Sequence, residues 1–134
     1  MTRELTADEL LFFDPMPGML PAYQVLRRRL LDAHPEVGIR VTKTQISFRS
    51  RYIFAMVSFL RPAAGCPREH LTVSFGLGYP KAAPRIAAAV EAAPNRWTHH
   101  VCVTCPGDVD GELMGWIEEA YQFCLAKGGR GRQK

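Results

Sequence analysis

The chain has 134 residues, 47% of them apolar and 22% charged, which suits one domain around a single core and excludes a disordered chain. The longest apolar runs, at 53–57 and 86–90, fall far short of the roughly 18 residues that a membrane span needs. The net charge is +4, yet residues 37–105 hold nine Lys/Arg against only Glu69 and Glu91, so the middle of the chain is the part suited to an anionic partner.

Thr6 and Glu9 have the spacing of a capping box, which predicts a short helix from there to about Phe13. The DPMPG stretch at 14–18 ends it. Pro21 can open a second helix, in which Tyr23, Leu26, Leu30 and Ala33 share a face. Arg27, Arg28 and Arg29 each turn by about 100° around that helix and so read as solvated.

From residue 38 the apolar period changes to two. GIRVT, QISFRS, YIFAMVSFL and HLTVSFGLG alternate or run apolar through, and their short connections predict an antiparallel meander. Residues 85–92 lie between Pro84 and Pro94 and can form two helical turns. Arg96 to Cys105 has the pattern of a fifth strand, with Trp97, His99, Val101 and Val103 on one face and Thr98, His100, Cys102 and Thr104 on the other. Leu113, Trp116, Ile117, Ala120, Tyr121 and Cys124 form one apolar stripe of a final helix. Asp108 or Asp110 can cap its start, and Gly128-Gly129 is expected to end it.

These elements predict a single two-layer α+β domain over 1–134, with 128–134 a flexible basic tail. A mainly antiparallel sheet of about five strands carries the N-terminal and C-terminal helices on one face. The other face, with Arg40, Thr42, Ser47, Arg49, Thr72 and Ser74, reads as solvated or as a ligand platform.

The N-terminus has no signal-peptide pattern, so a cytoplasmic location is expected. Cys66, Cys102, Cys105 and Cys124 then default to free thiols. Cys102 and Cys105 form a lone C-x-x-C in a strand, three residues apart and pointing to opposite faces, where neither a four-ligand zinc site nor a helix-capped redox pair is built. No nucleophile-elbow, phosphate-loop or dinucleotide fingerprint is present. No metal, cofactor or catalytic residue is therefore assigned.

The run IRVTKTQISFRSRYIFAMVSF, then LTVSFGL, RWTHHVCV and DVDGELMGWIEEAYQF, resembles a bacterial family known only as a domain of unknown function, the DUF5655 type. The resemblance spans about Phe13 to Phe123. It rests on Thr42 and Lys43, on Arg49 and Arg51, on Arg96, Trp97, His99 and His100, and on Asp108, Asp110, Ile117 and Tyr121, with looser agreement at Glu112 and Leu113. It implies a fold and a set of positions, and no activity.

The ligand-binding candidates are Lys43, Arg49, Arg51, Arg96, Trp97, His99 and His100. The leading expectation is a binding or accessory domain whose basic sheet surface takes an anionic ligand or nucleic acid. The alternative is an enzyme acting on a small anionic substrate through His99 or His100 with Lys43 and Arg49. A homodimer joined through the sheet is a further expectation, and no membrane partner is expected.

Overall fold

The computed structural model describes residues 4–62 and 66–131, with side chains as far as 126. The elements run α1 (Ala7–Phe12), a 3-10 turn, α2 (Leu20–Ala33), β1 (Gly38–Val41), β2 (Ile46–Arg49), β3 (Ile53–Ser58), β4 (Leu71–Leu77), β5 (Ile86–Ala93), β6 (Arg96–Val103), a second 3-10 turn and α3 (Gly111–Gly131). The six strands make one antiparallel sheet in the order β1-β2-β3-β4-β6-β5. The architecture is α+β, with one strand more than the pattern predicts.

The extra strand is β5. Residues 86–93 pair along β6 instead of forming a helix. The nine residues between Pro84 and Pro94 would make a helix too short to be stable without tertiary packing, while pairing with β6 satisfies their backbone. Asn95 has φ 61° and with Pro94 turns the chain into β6, a conformation that Asn tolerates better than most residues.

One face of the sheet is the core. Ile46 and Phe48, Ala55 and Val57, Val73 and Phe75, and Val101 and Val103 stand in register across the central strands and are buried. Tyr23, Leu26 and Leu30 of α2, and Leu113, Ile117, Ala120, Tyr121 and Cys124 of α3, are buried with them in one cluster. Ala33 is exposed, because the chain has turned away by the end of α2.

The Thr6–Glu9 capping box is present at α1. Glu9 does more than cap: its carboxylate is buried, accepts from the Tyr23 hydroxyl, and pairs with Arg27 Nε at 2.8 Å. Arg27 is therefore a buried tether between α1 and α2 and not part of a solvated face. Arg29 donates to the Val109 carbonyl at 2.8 Å. Asp110 caps α3 by accepting from Leu113 N at 3.1 Å. The helix continues through Gly128 and Gly129 to Gly131. No described glycine takes the positive φ that a glycine stop requires, so the expected tail begins as helix at 128–131, and 132–134 lie outside the described residues.

The outer face is not simply solvated. Thr72 and Ser74 are buried, and the Leu60 carbonyl accepts from Thr72 Oγ1 and from His70 Nε2, the latter at 2.8 Å. Cys66 is bonded to Cys102, 36 residues away. The expectation of free thiols fails for this pair: Cys66 in the β3–β4 connection meets the outward-facing Cys102 of β6 across β4. The alternation places Cys102 correctly, but a sequence-local reading cannot show that a loop returns over the sheet to reach it.

Candidate functional site

The β3–β4 ladder ends at Ala55 opposite Phe75, whereas the β4–β6 ladder continues to Leu77 opposite Trp97. The cause is a register shift on the β2 side of β3. Phe48 faces Ala55 and Arg49 faces Ile53, so Phe54 is an extra residue. A bulge bends its strand and ends regular pairing. Phe54 turns inward, edge-on to the Tyr121 ring at 5.3 Å, and the start of β3 leaves the end of β4.

A cavity of about 120 Å³ occupies the resulting fork. Gly76 contributes no side chain to it. Tyr52 and Ile53 of the hairpin, Trp97 and Thr98 of β6, and Phe123 and Cys124 of α3 are among its walls. The Cys124 thiol holds the hairpin in place, accepting from Tyr52 N and donating to Tyr52 O at 3.3 Å each. Among the described residues Arg96 is the one charged residue that lines the cavity. Arg51 precedes Tyr52 in the chain, and Arg49 stands opposite Ile53. All three arginines are exposed. One acid, Glu91, lies opposite Trp97 on β5.

Four of the seven candidates, Arg49, Arg51, Arg96 and Trp97, thus lie toward the same end of the sheet, where Arg96 and Trp97 line the cavity and Arg49, on β2, is three strands from β6. Lys43 does not. It sits in the β1–β2 connection at the opposite end, beside Phe12, Pro15, Phe59 and Leu60. Strands β2, β3 and β4 cover the interval from there to β6, so at about 4.8 Å per strand Lys43 lies roughly 14 Å or more from either histidine in the sheet plane.

The histidines divide as alternation requires. His99 is fully buried on the core side, stacked on Phe75 with 5.1 Å between centroids. Its Nε2 accepts from the Lys81 backbone N–H at 2.8 Å, which leaves the proton on Nδ1. Burial lowers its pKa, with the backbone carbonyls of Phe75 and Trp97 offsetting only part of that effect. His100 faces outward and is hydrogen-bonded through Nδ1 to Ser74 Oγ at 2.8 Å. Burial, then the neighbouring His99, lowers its pKa as well. Burial thus shifts both rings toward the neutral form.

The outer face carries little charge. Arg40, Ser47, Met56, Ser74 and His100 form one cross-strand row, in which only Arg40 is cationic. The basic character resides at the strand ends. Gly76, Tyr52 and Phe123 were not among the candidates drawn from the sequence. Gly76 could be found only from strand register, and Tyr52 and Phe123 only from the approach of α3 to the β2–β3 hairpin.

The family model of a domain of unknown function, DUF5655, matches residues 12–124. The chain belongs to that family. No curated protein and no solved structure matches it. The matched span of this DUF5655 domain runs from Phe12 to Cys124, so it includes every strand and all the residues that frame the fork. No described helix is long and apolar enough to cross a membrane.

Proposed function

We propose that this DUF5655 domain is a binding or accessory domain for an anionic ligand and that its contact surface is the arginine-bearing end of the sheet. The observation that carries the reading is that Arg49, Arg51 and Arg96 all stand exposed toward the end of the sheet where the cavity lies, with Arg96 lining it. Guanidinium groups are the side chains best shaped for carboxylate and phosphate. The basic surface is therefore an edge with a cavity in it, and not the flat face of the sheet.

The enzymatic alternative asks Lys43 and Arg49 to act with His99 or His100. Lys43 is separated from both by the strand order, and His99 is sealed in the core. The binding reading needs no such convergence.

The test is a titration at low salt with inorganic phosphate and with single-stranded and duplex oligonucleotides. A single strand engaging all three arginines is expected to show a slope of log K against log salt of about −2. Arg49→Ala, Arg51→Ala and Arg96→Ala combined should abolish the binding. Binding that survives the triple variant places the contact elsewhere and removes the reading.

A cytoplasmic location belongs to the same proposal and carries a demand of its own. Cytosolic glutathione and thioredoxin keep thiols reduced, so Cys66 and Cys102 should be open there. Rapid alkylation of thiols in intact cells that finds the pair bonded would overturn the assignment.

A further inference from the structure

We propose that the fork cavity is a binding site for a small carboxylate carrying a single planar ring, with the ring between β3 and β4 and the carboxylate on Arg96. This rests on the reading of the arginine-bearing end as an anion site and names its ligand class.

Size sets the first limit. The cavity holds about 120 Å³, and an apolar protein cavity of roughly 150 Å³ takes benzene. The space suits one six-membered ring and is too small for a fused two-ring system with substituents. Shape sets the second limit. The fork is the gap left where two strands diverge, bounded on one side by the Tyr52–Phe54 backbone and on the other by Gly76 and Leu77. A gap of that kind favours a flat body over a branched one. Gly76 keeps it open, since a Cβ there would meet nothing nearer than Trp97 O at 4.0 Å.

The wall chemistry decides the rest. Trp97 and Phe123 come from opposite elements, and Leu77 and Ala120 complete an apolar interior. Aromatic rings pair well in offset or edge-on arrangements. Among the described residues no carboxylate lines the cavity, and Arg96 is the one charged residue that does. One guanidinium matches one carboxylate in a two-point contact, with Arg49 and Arg51 adding longer-range attraction from the same end of the sheet. A phosphate-centred ligand would find one lining guanidinium among the described residues and no use for the apolar interior.

Benzoate is the probe, with benzyl alcohol, cyclohexanecarboxylate, acetate and inorganic phosphate as comparisons. The protein has two tryptophans. Trp116→Phe therefore leaves Trp97 as the reporter while keeping a ring near Phe75, which Trp116 approaches at 6.0 Å. Benzoate should change Trp97 fluorescence saturably and bind at least tenfold more tightly than each comparison. Arg96→Ala should cost about tenfold with Arg96→Lys recovering part of it, and Gly76→Val should abolish binding by filling the fork. Circular dichroism checks that both fold, and Arg96→Ala alone carries the test if Gly76→Val does not. If benzoate shows no saturable binding while phosphate or oligonucleotide still binds through the arginines, the ring-carboxylate site is wrong and the anion-binding reading stands. If nothing anionic binds, both fall. Benzoate binding that is indifferent to Arg96→Ala also overturns the site.

Discussion

The two ends of the sheet are built on opposite plans. At the end that holds Val41, Ser58, Leu71 and Val103, the chain closes over itself. Phe59 stacks on Phe12 at 5.0 Å, His70 is buried on the Leu60 carbonyl, and a disulfide fixes the β3–β4 connection to β6. At the other end a bulge parts β3 from β4, glycine stands where a side chain would fill the gap, and Arg49, Arg51 and Arg96 are exposed. The same six strands therefore supply a rigid foundation at one end and an opening at the other. Sites are more exact when rigid elements support them, and the expected effects of substitution divide accordingly: stability at the closed end, binding at the open one.

The largest effect should come from Glu9. Its carboxylate accepts from the Thr6 N–H, the Tyr23 hydroxyl and Arg27 while buried under α1. Glu9→Ala leaves Arg27 without its buried countercharge, a change that costs about 3–5 kcal/mol. Chemical denaturation should show the loss as a lower midpoint. The pH dependence has a definite sign. Burial alone would raise the Glu9 pKa, but the Tyr23, Thr6 and Arg27 hydrogen bonds outweigh it, and the folded value lies below 4.5. A carboxyl lowered on folding contributes its stability above the unfolded value and loses it as pH falls through the folded one. The wild type should therefore lose stability below about pH 4.5 more steeply than Glu9→Gln does. Equal acid limbs would mean that the clasp does not bear on stability.

The disulfide comes next. Its partners are 36 residues apart, and closing a loop of that length contributes about 2–4 kcal/mol. Cys66→Ser or full reduction should lower the denaturation midpoint by that amount. Hydrogen exchange should rise at Thr72, whose hydroxyl donates to the Leu60 carbonyl of the connection, more than at Gly76. Counting thiols after unfolding oxidised protein without reductant should find two, from Cys105 and Cys124. A count of four would remove the latch, and with it part of the contrast between the two ends.

The legible parts of this molecule were those that a period or a cap determines. Alternation separated His99 from His100 and placed Trp97 with the core face, because a strand leaves each residue only two directions. The α3 stripe and the Thr6–Glu9 box were equally local. What stayed hidden depends on partners distant in sequence. Residues 86–93 became a strand because β6 offered an edge, and their alanines did not resist it strongly. Cys66 met Cys102 because a connection folds back across β4. Arg49, Arg51 and Arg96 were chosen for charge, but their placement at one end of the sheet follows from strand direction, which puts Lys43 at the other end. The fork needed the most information, since it exists through one extra residue at Phe54 and one missing side chain at Gly76.

The smallest expected effect lies at that fork, and it has the opposite sign. Glycine within a strand costs roughly 0.5–1 kcal/mol relative to alanine through the freedom it loses on folding. A Cβ at Gly76 has open space around it, so Gly76→Ala should stabilise the domain by about 0.5 kcal/mol while taking volume from the cavity and weakening benzoate binding. A gain in stability paired with a loss of binding is the mark of a position kept open for a ligand. Denaturation midpoints and fluorescence titrations on the same samples measure both halves. If Gly76→Ala stabilises and binding is unchanged, the glycine does not hold the fork open for a ligand. If it destabilises, the strand needs glycine there for its own conformation, and the open end is as constrained as the closed one.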